Sequence, residues 1–484
     1  MTNDINIQKA LLELVSTTGE QPLSIRPLAA SGSSRKYYRI TTKEHSLIGA
    51  FNATKEENRA FFYLASYFQE HGLSVPKIFI VNEQENCYLM EDLGDSTLMD
   101  YIVADGGEMS ASLVMLLQRT MEELIKFQCS GHKGLDYGMT YPTPSFDKKS
   151  ILDDLLYFKY YFLKLHPKIE FNEVRLSDDF ETLAEYIIQA PNDFFMYRDF
   201  QSRNIMVRDN KLYFIDFQGG RRGPLQYDVV SFLYQVKARF SEQLRQELLQ
   251  HYHNMLLKVK TDAAKVFYDY LPAFVILRLM QVLGAYGYRG LIQHKVHFLE
   301  SLPRAIREFK HHFQDASLPL RLPELTHIVG QLPSLYDDYP INNSSCNNRL
   351  TISINSFSYR KGYPNDVSGN GGGFVFDCRP LPNPGRMEEY KQLTGRDKAV
   401  ADYLKQQPEV LQYLEHCRAL LSPCVDNYIQ RQFTHLMISF GCTGGQHRSV
   451  FFAQSIFEWF KNQYPMLHIE LYHREQNIRE SHEG

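Results

Sequence analysis

Residues 197–218, YRDFQSRNIMVRDNKLYFIDFQ, constrain this chain more than any other stretch. Asp199 and Asn204 stand in Asp-x4-Asn spacing. Asp216 follows after two short apolar runs joined by Asp209-Asn210, a pair that tolerates the left-handed backbone of a two-residue hairpin turn. Loop, strand, turn and strand then project two carboxylates and an amide toward one point. Phosphoryl transfer uses such a set because the protein mainly positions and neutralises: one carboxylate accepts the acceptor hydroxyl's proton, while an Asn and a second Asp hold Mg2+ on a triphosphate. Asp199 is the candidate base, Asn204 and Asp216 the candidate metal ligands, and ATP and Mg2+ the implied cofactors. Singly, each is an ordinary turn or capping residue; the ordered three carry the reading. Arg198 is expected to support the loop rather than react.

Upstream, Ile25 to Leu93 reads as short strands flanking one helix. Thr54 and Glu57 form a capping box before ENRAFFYLASYFQEHG, and Gly72 is its stop. The stretch AASGSSRKYYRI places Ser31, Gly32, Ser33, Ser34 and Arg35 between two β-prone segments, where backbone N–H groups would cover phosphates. Met90, Glu91, Asp92 and Leu93 follow a strand where two lobes would join, and their backbone is the candidate adenine edge. Beyond Asp95 the pattern turns helical. A small β-rich lobe to about residue 93 and a larger helical lobe over 96–330 are expected.

The clearest break is 316–349, where prolines and an Asn/Ser cluster interrupt helical periodicity; a linker is placed at 331–349. Residues 350–484 then alternate apolar strands (350–354, 374–377, 436–440, 469–472) with helical stretches, the pattern of a compact α/β domain. With 484 residues the chain needs more than one core, and seven cysteines without a CxxC pair fit neither a disulfide framework nor a structural zinc site. A reducing cytoplasm is expected. The net charge of −4, with 14 Lys+Arg against 14 Asp+Glu after residue 349, gives no surplus for a nucleic-acid surface. No apolar run is expected to reach the roughly 20 residues that span a membrane. Oligomeric state is not legible here.

In the downstream segment, a strand, the turn GCTGGQHRSV and the helix SVFFAQSIFEWFKNQY, with Ala453, Ile456, Phe457 and Phe460 on one face, aim backbone N–H groups at an anion. The candidate anion ligands are Cys442, Thr443, Gly444, Gly445, Gln446, His447, Arg448 and Ser449, with Arg379, His473 and Arg474 completing an electropositive pocket. A competing reading takes Cys442 and Arg448 as the C-x5-R pair of a cysteine phosphatase, although Gly441 stands where such enzymes carry His.

Two family resemblances organise these motifs. RDFQSRN, IDFQ and GPLQYDVVSFL resemble the aminoglycoside phosphotransferase-like kinases, most closely the anomeric kinases of N-acetylmuramate and N-acetylglucosamine. This implies a bilobal α+β protein-kinase-like fold over 1–330, an amino-sugar acceptor, and Asp228 tying the catalytic loop together by accepting backbone hydrogen bonds; a helix N-cap is the alternative for Asp228. One departure stands out. In SLIGAFNATKEEN no lysine occupies the phosphate-binding position, where Ala50 is nearest, leaving Arg35, Lys36 or Lys55 to supply the charge. SFSYRKGYPND, FDCRPLPNP, QLTGRDKAV, GCTGGQHRSV and YHRE resemble, in order, the C-terminal domain of the RNase adaptor RapZ, which implies recognition of glucosamine 6-phosphate and a part in small-RNA binding. A nucleotide-binding RNA adaptor with little kinase activity is the alternative reading of the whole chain.

Overall fold

The structure, a computed structural model, describes residues 2–28, 35–107, 109–338, 350–364, 366, 372–431 and 433–483. Two compact units emerge: Met1–Tyr288 with Ser301–Tyr339, and Arg289–Glu300 with Pro340–Gly484.

The first unit is a bilobal kinase-like fold. Its small lobe is an antiparallel sheet of β1 (Pro22–Pro27), β2 (Lys36–Thr42), β3 (Ser46–Phe51), β4 (Ile78–Val81) and β5 (Cys87–Glu91), in the order β1-β2-β3-β5-β4. The helix Thr2–Ser16 closes the sheet with Ile7, Leu11, Leu14 and Val15, which cluster with Tyr38, Ile40, Leu47 and Leu89. The helix Lys55–Glu70 carries Phe61 and Phe68 into the large lobe, where Phe61 stacks on Phe217 at 5.1 Å and Phe68 meets Phe127 and Phe195 edge-on. Gly72, at φ +72°, ends that helix as expected. The capping box does not form: Thr54 makes no side-chain cap, its N–H donates to Asn52 Oδ1, and the Glu57 carboxylate is taken by Arg35 and Asn52.

The large lobe is helical around two small ladders. β6 (Phe194–Met196) pairs with β9 (Arg221–Gly223), and β7 (Ile205–Arg208) with β8 (Lys211–Phe214) through Asp209 and Asn210, both at positive φ. Its core helix, Phe267–Tyr286, is apolar nearly all round and buries Leu271, Phe274, Ile276 and Met280. Among the described residues one helical stretch, Phe267–Ile292, has membrane-crossing length and mean hydropathy, and 72% of its most apolar window is buried inside the fold. The expected linker begins later than 331, since Leu332 and Leu335 are fully buried in a helical turn over Leu332–Asp338; residues 339–349 lie outside the described residues.

The second unit is α/β. β10 (Thr351–Ser358), β11 (Gly373–Asp377), β12 (His435–Cys442) and β13 (His468–His473) are parallel, and β14 (Ile478–His482) is an antiparallel edge, in the order β11-β12-β10-β13-β14. The helix Arg448–Gln463 buries the expected face of Ala453, Ile456, Phe457 and Phe460 in the core with Ile354, Ile438 and Phe440.

Candidate functional site

The loop after β6 presents Asp199 through an uncommon backbone. Arg198 sits at φ +78° and Asp216 at φ +67°, conformations that a side-chain-bearing residue keeps only where the surroundings hold it. Asp228 supplies much of that hold. Its carboxylate accepts from the backbone N–H of Tyr197 at 2.7 Å and of Arg198 at 2.9 Å, and from Gln128 Nε2 at 3.3 Å. It lies inside the helix Leu225–Leu233, whose N-cap is Pro224, so the N-cap alternative falls. Complete burial pushes its carboxyl up to about 7 although the three N–H donors pull it down. Arg198 forks onto Asp154 at 2.6 and 2.8 Å and lies over the rings of Tyr227 and Phe146, the supporting place expected of it.

Asn204 Nδ2 donates to the Asp199 carbonyl at 2.8 Å and to Asp216 Oδ2 at 3.1 Å, while Gln218 Nε2 donates to Asp216 Oδ1 at 2.8 Å. The base candidate and the two ligand candidates are thus knit into one cluster. Burial, and then the nearby Asp199, raise the Asp216 carboxyl above the usual carboxylate range. A pair of carboxylates so placed, with an amide beside them, is a hard-oxygen donor set that suits Mg2+, whose charge would relieve their repulsion.

In the small lobe, Ala50 fills the lysine position, fully buried on β3 between Tyr37 and Tyr88 of the adjoining strands. Of the three substitutes, Lys36 pairs with Asp4 and Lys55 is exposed. Arg35, 4% exposed, binds Glu57 of the helix Lys55–Glu70 at 3.0 Å and acts electrostatically on Asp216. This reproduces, with arginine, the strand-cation and helix-glutamate pair of kinases. Ser31 to Ser34 lie outside the described residues. Met90 and Glu91 close β5, and two arginines pin the connector beyond it. Arg39 of β2 binds Asp92 and Asp95, and Arg208 of β7 binds Glu91 at 2.6 Å and the Asp92 carbonyl at 3.1 Å. Leu93 is buried.

In the second unit the motifs meet at the carboxyl ends of the parallel strands, where several of their cations hold protein partners. Arg448, buried, donates to the carbonyls of Arg379 and Leu381 at 2.6 and 2.9 Å. Arg379 forks onto Asp377 and stacks on Tyr359, and Arg474 binds Glu475. His447 bonds the Tyr390 carbonyl and Gln446 those of Lys391 and Leu393. His473 does not add positive charge as expected. Fully buried between Ser356 and Gln454, its imidazole is pushed by burial down to about 4 and is neutral near pH 7. Thr443 and Gly444 are exposed. Cys442 is buried in the core with its Sγ 3.1 Å from the Ser449 hydroxyl, unlike the accessible thiolate a cysteine phosphatase requires.

Residues 24–264 match the model of the phosphotransferase enzyme family, and residues 350–477 that of the RapZ C-terminal domain. The chain carries both domains. Among curated relatives, a nucleotide-binding protein of Albidiferax ferrireducens is 39% identical over 124 residues, 26% of this chain and 40% of that protein. One of Aeromonas hydrophila is 34% identical over 158 residues, 32% of this chain and 52% of that protein. The chain thus spans two fifths to about half the length of these relatives. Among solved structures, LicA in complex with AMP is 16% identical (TM-score 0.44, 63% of this chain, 98% of that one). The amicoumacin kinase hAmiN in complex with AMP-PNP, Ca2+ and Ami is 14% identical (TM-score 0.46, 67% of this chain, 100% of that one).

Within the phosphotransferase domain, sequence reasoning missed Asp154, Gln128 and Gln218, which position Arg198, Asp228 and Asp216. Gln218 alone had a visible signal, two residues after Asp216. The other two lie far upstream on helices whose polar residues look like solvent-facing ones until the fold buries them.

Proposed function

We infer that the phosphotransferase domain transfers the γ-phosphoryl group of ATP to a hydroxyl of an amino sugar of the N-acetylmuramate or N-acetylglucosamine type, at the anomeric position. The RapZ C-terminal domain, on this reading, binds an amino-sugar phosphate in the cytoplasm, where its thiols stay reduced. The observation that carries the reading is the hydrogen-bonded cluster of Asp199, Asn204 and Asp216. Asp199 accepts the proton of the acceptor hydroxyl as the new oxygen–phosphorus bond forms and ADP departs. Arg35, braced by Glu57, faces the phosphates, and Asp228 keeps the loop in its strained shape. Asn204 and Asp216 would hold Mg2+, which when bound neutralises phosphate charge.

ATP consumption across a panel of amino sugars and other alcohols tests this, with wild type beside Asp199→Asn. A sugar-dependent rate that drops by roughly 10²- to 10⁴-fold in the variant is expected. No stimulation by any acceptor, or equal rates, would sink the assignment. Calorimetry of the full chain with glucosamine 6-phosphate checks the second domain; absence of binding at millimolar concentration removes that half of the reading.

A further inference from the structure

The alanine that replaces the strand lysine is flanked by two tyrosines. Tyr37 of β2 and Tyr88 of β5 stand opposite Ala50 from either side, so the three side chains share one face of the sheet. The Tyr88 ring lies 5.6 Å from that of Phe61 and 5.1 Å from that of Phe62, on the helix that carries Glu57. The groups whose charge acts on its hydroxyl are Tyr37, Arg35, Glu57 and Asp216. The phenol therefore ends where the cation, the helix glutamate and a candidate metal ligand converge.

That hydroxyl is fully enclosed and has no hydrogen-bond partner among the described residues. The carboxylates around it are engaged elsewhere: Glu57 Oε1 accepts from Arg35 and Oε2 from Asn52, while Asp216 Oδ1 accepts from Gln218 and Oδ2 from Asn204. A buried hydroxyl left unpaired loses its hydration without compensation, and phenylalanine would fill the same space without that loss. Burial also holds the phenol protonated far above neutral pH, so it remains a donor. An acceptor for it has to come from beyond these residues, and a nucleotide bound at Arg35 and Asp216 brings phosphate oxygens to that place.

We propose that the Tyr88 hydroxyl donates to a phosphate oxygen of the bound nucleoside triphosphate, sharing with Arg35 the work that one lysine ammonium does in kinases. The proposal rests on the phosphotransferase reading and adds a positioning residue to its nucleotide site. Arg35 supplies the charge and Tyr88 a neutral donor. A lysine at position 50 would instead set a second cation against Arg35. The contact forms as the side chains enclosing the hydroxyl yield to the nucleotide.

Tyr88→Phe removes the hydroxyl and keeps the ring. Calorimetric binding of AMP-PNP with Mg2+ to the full chain is compared with binding of adenosine, which lacks phosphates, and the melting temperature is measured without ligand. AMP-PNP affinity should fall about 10- to 100-fold in the variant, the range of a hydrogen bond to a charged group. Adenosine affinity should stay put, and the unliganded variant should melt no lower than wild type, since only an unpaired group has gone. Equal AMP-PNP affinity in the two proteins overturns the proposal. So does an equal loss with both ligands, or a fall in melting temperature, either of which marks a packing role. If AMP-PNP binding depends on Tyr88 but no acceptor stimulates ATP consumption, only the phosphotransferase reading fails. No binding of AMP-PNP to wild type ends both.

Discussion

Arg35 makes, from a different place in the sheet, the ion pair with a helix glutamate that a strand lysine makes in kinases. A lysine on β3 would reach out from the sheet's middle; here the cation is the residue just before β2 and meets Glu57 of the helix. Glu57 is shared with Asn52, so the guanidinium is held rather than free to swing. Arg35→Met and Glu57→Gln should each lower kcat/KM for ATP by about 10- to 100-fold, and the double variant should lose little more than either single one, because both break one unit. Additive losses in that double-mutant cycle would refute a shared role. At this scale the sequence was most legible where function is local: Asp199, Asn204 and Asp216 lie within one loop and one hairpin. Singling out Arg35 from Lys36 and Lys55 was out of reach, since what distinguishes it is a glutamate 22 residues away on a different element of the small lobe. The same tertiary demand keeps the Glu57 carboxylate from closing the capping box its sequence pattern offers.

The turn from β12 into the helix Arg448–Gln463 depends on one glycine. Gly445 lies at φ +68°, and a Cβ there would come within 2.4 Å of Glu475 Cγ and 2.9 Å of the Ser358 backbone nitrogen. Gly445→Ala should therefore destabilise the second domain by more than about 1 kcal/mol. Removing the obstructing side chain as well, with Glu475→Ala, should recover only part, because the backbone strain and the Ser358 contact persist. Full recovery would show that the backbone there is relaxed. Urea unfolding followed by Trp459, the chain's single tryptophan and packed on this domain's core, reads the effect. β10 to β13 were legible because their inward residues are apolar at regular intervals. β14, IRESH, was not: an edge strand half open to water carries charges where a central one carries Val or Ile.

At the scale of the molecule, acid should loosen the second domain first through His473. Its folded pKa of about 4 lies below the usual value near 6.5, so between those pH values the unfolded chain binds a proton that the folded one refuses. Stability contributed by the neutral ring is complete above about pH 6.5 and drains away as pH falls toward 4, by up to about 3 kcal/mol. The urea midpoint reported by Trp459 should fall over that window in wild type and flatten in His473→Gln; parallel slopes would count against the histidine. Two units were anticipated from the proline-rich break, yet Leu332 and Leu335 extend the first beyond the expected boundary, because two buried leucines on a short helical turn leave no periodic trace.

The strand order has a consequence for how the chain is made. β10 leaves the ribosome first among the strands of its sheet, but its partners on either side are β12 and β13, near the far end of the chain. Until residues beyond 435 have emerged, Ile352 and Ile354 have no sheet to join, and the nascent segment must wait as an open apolar strand while the completed kinase-like lobes have already folded behind it.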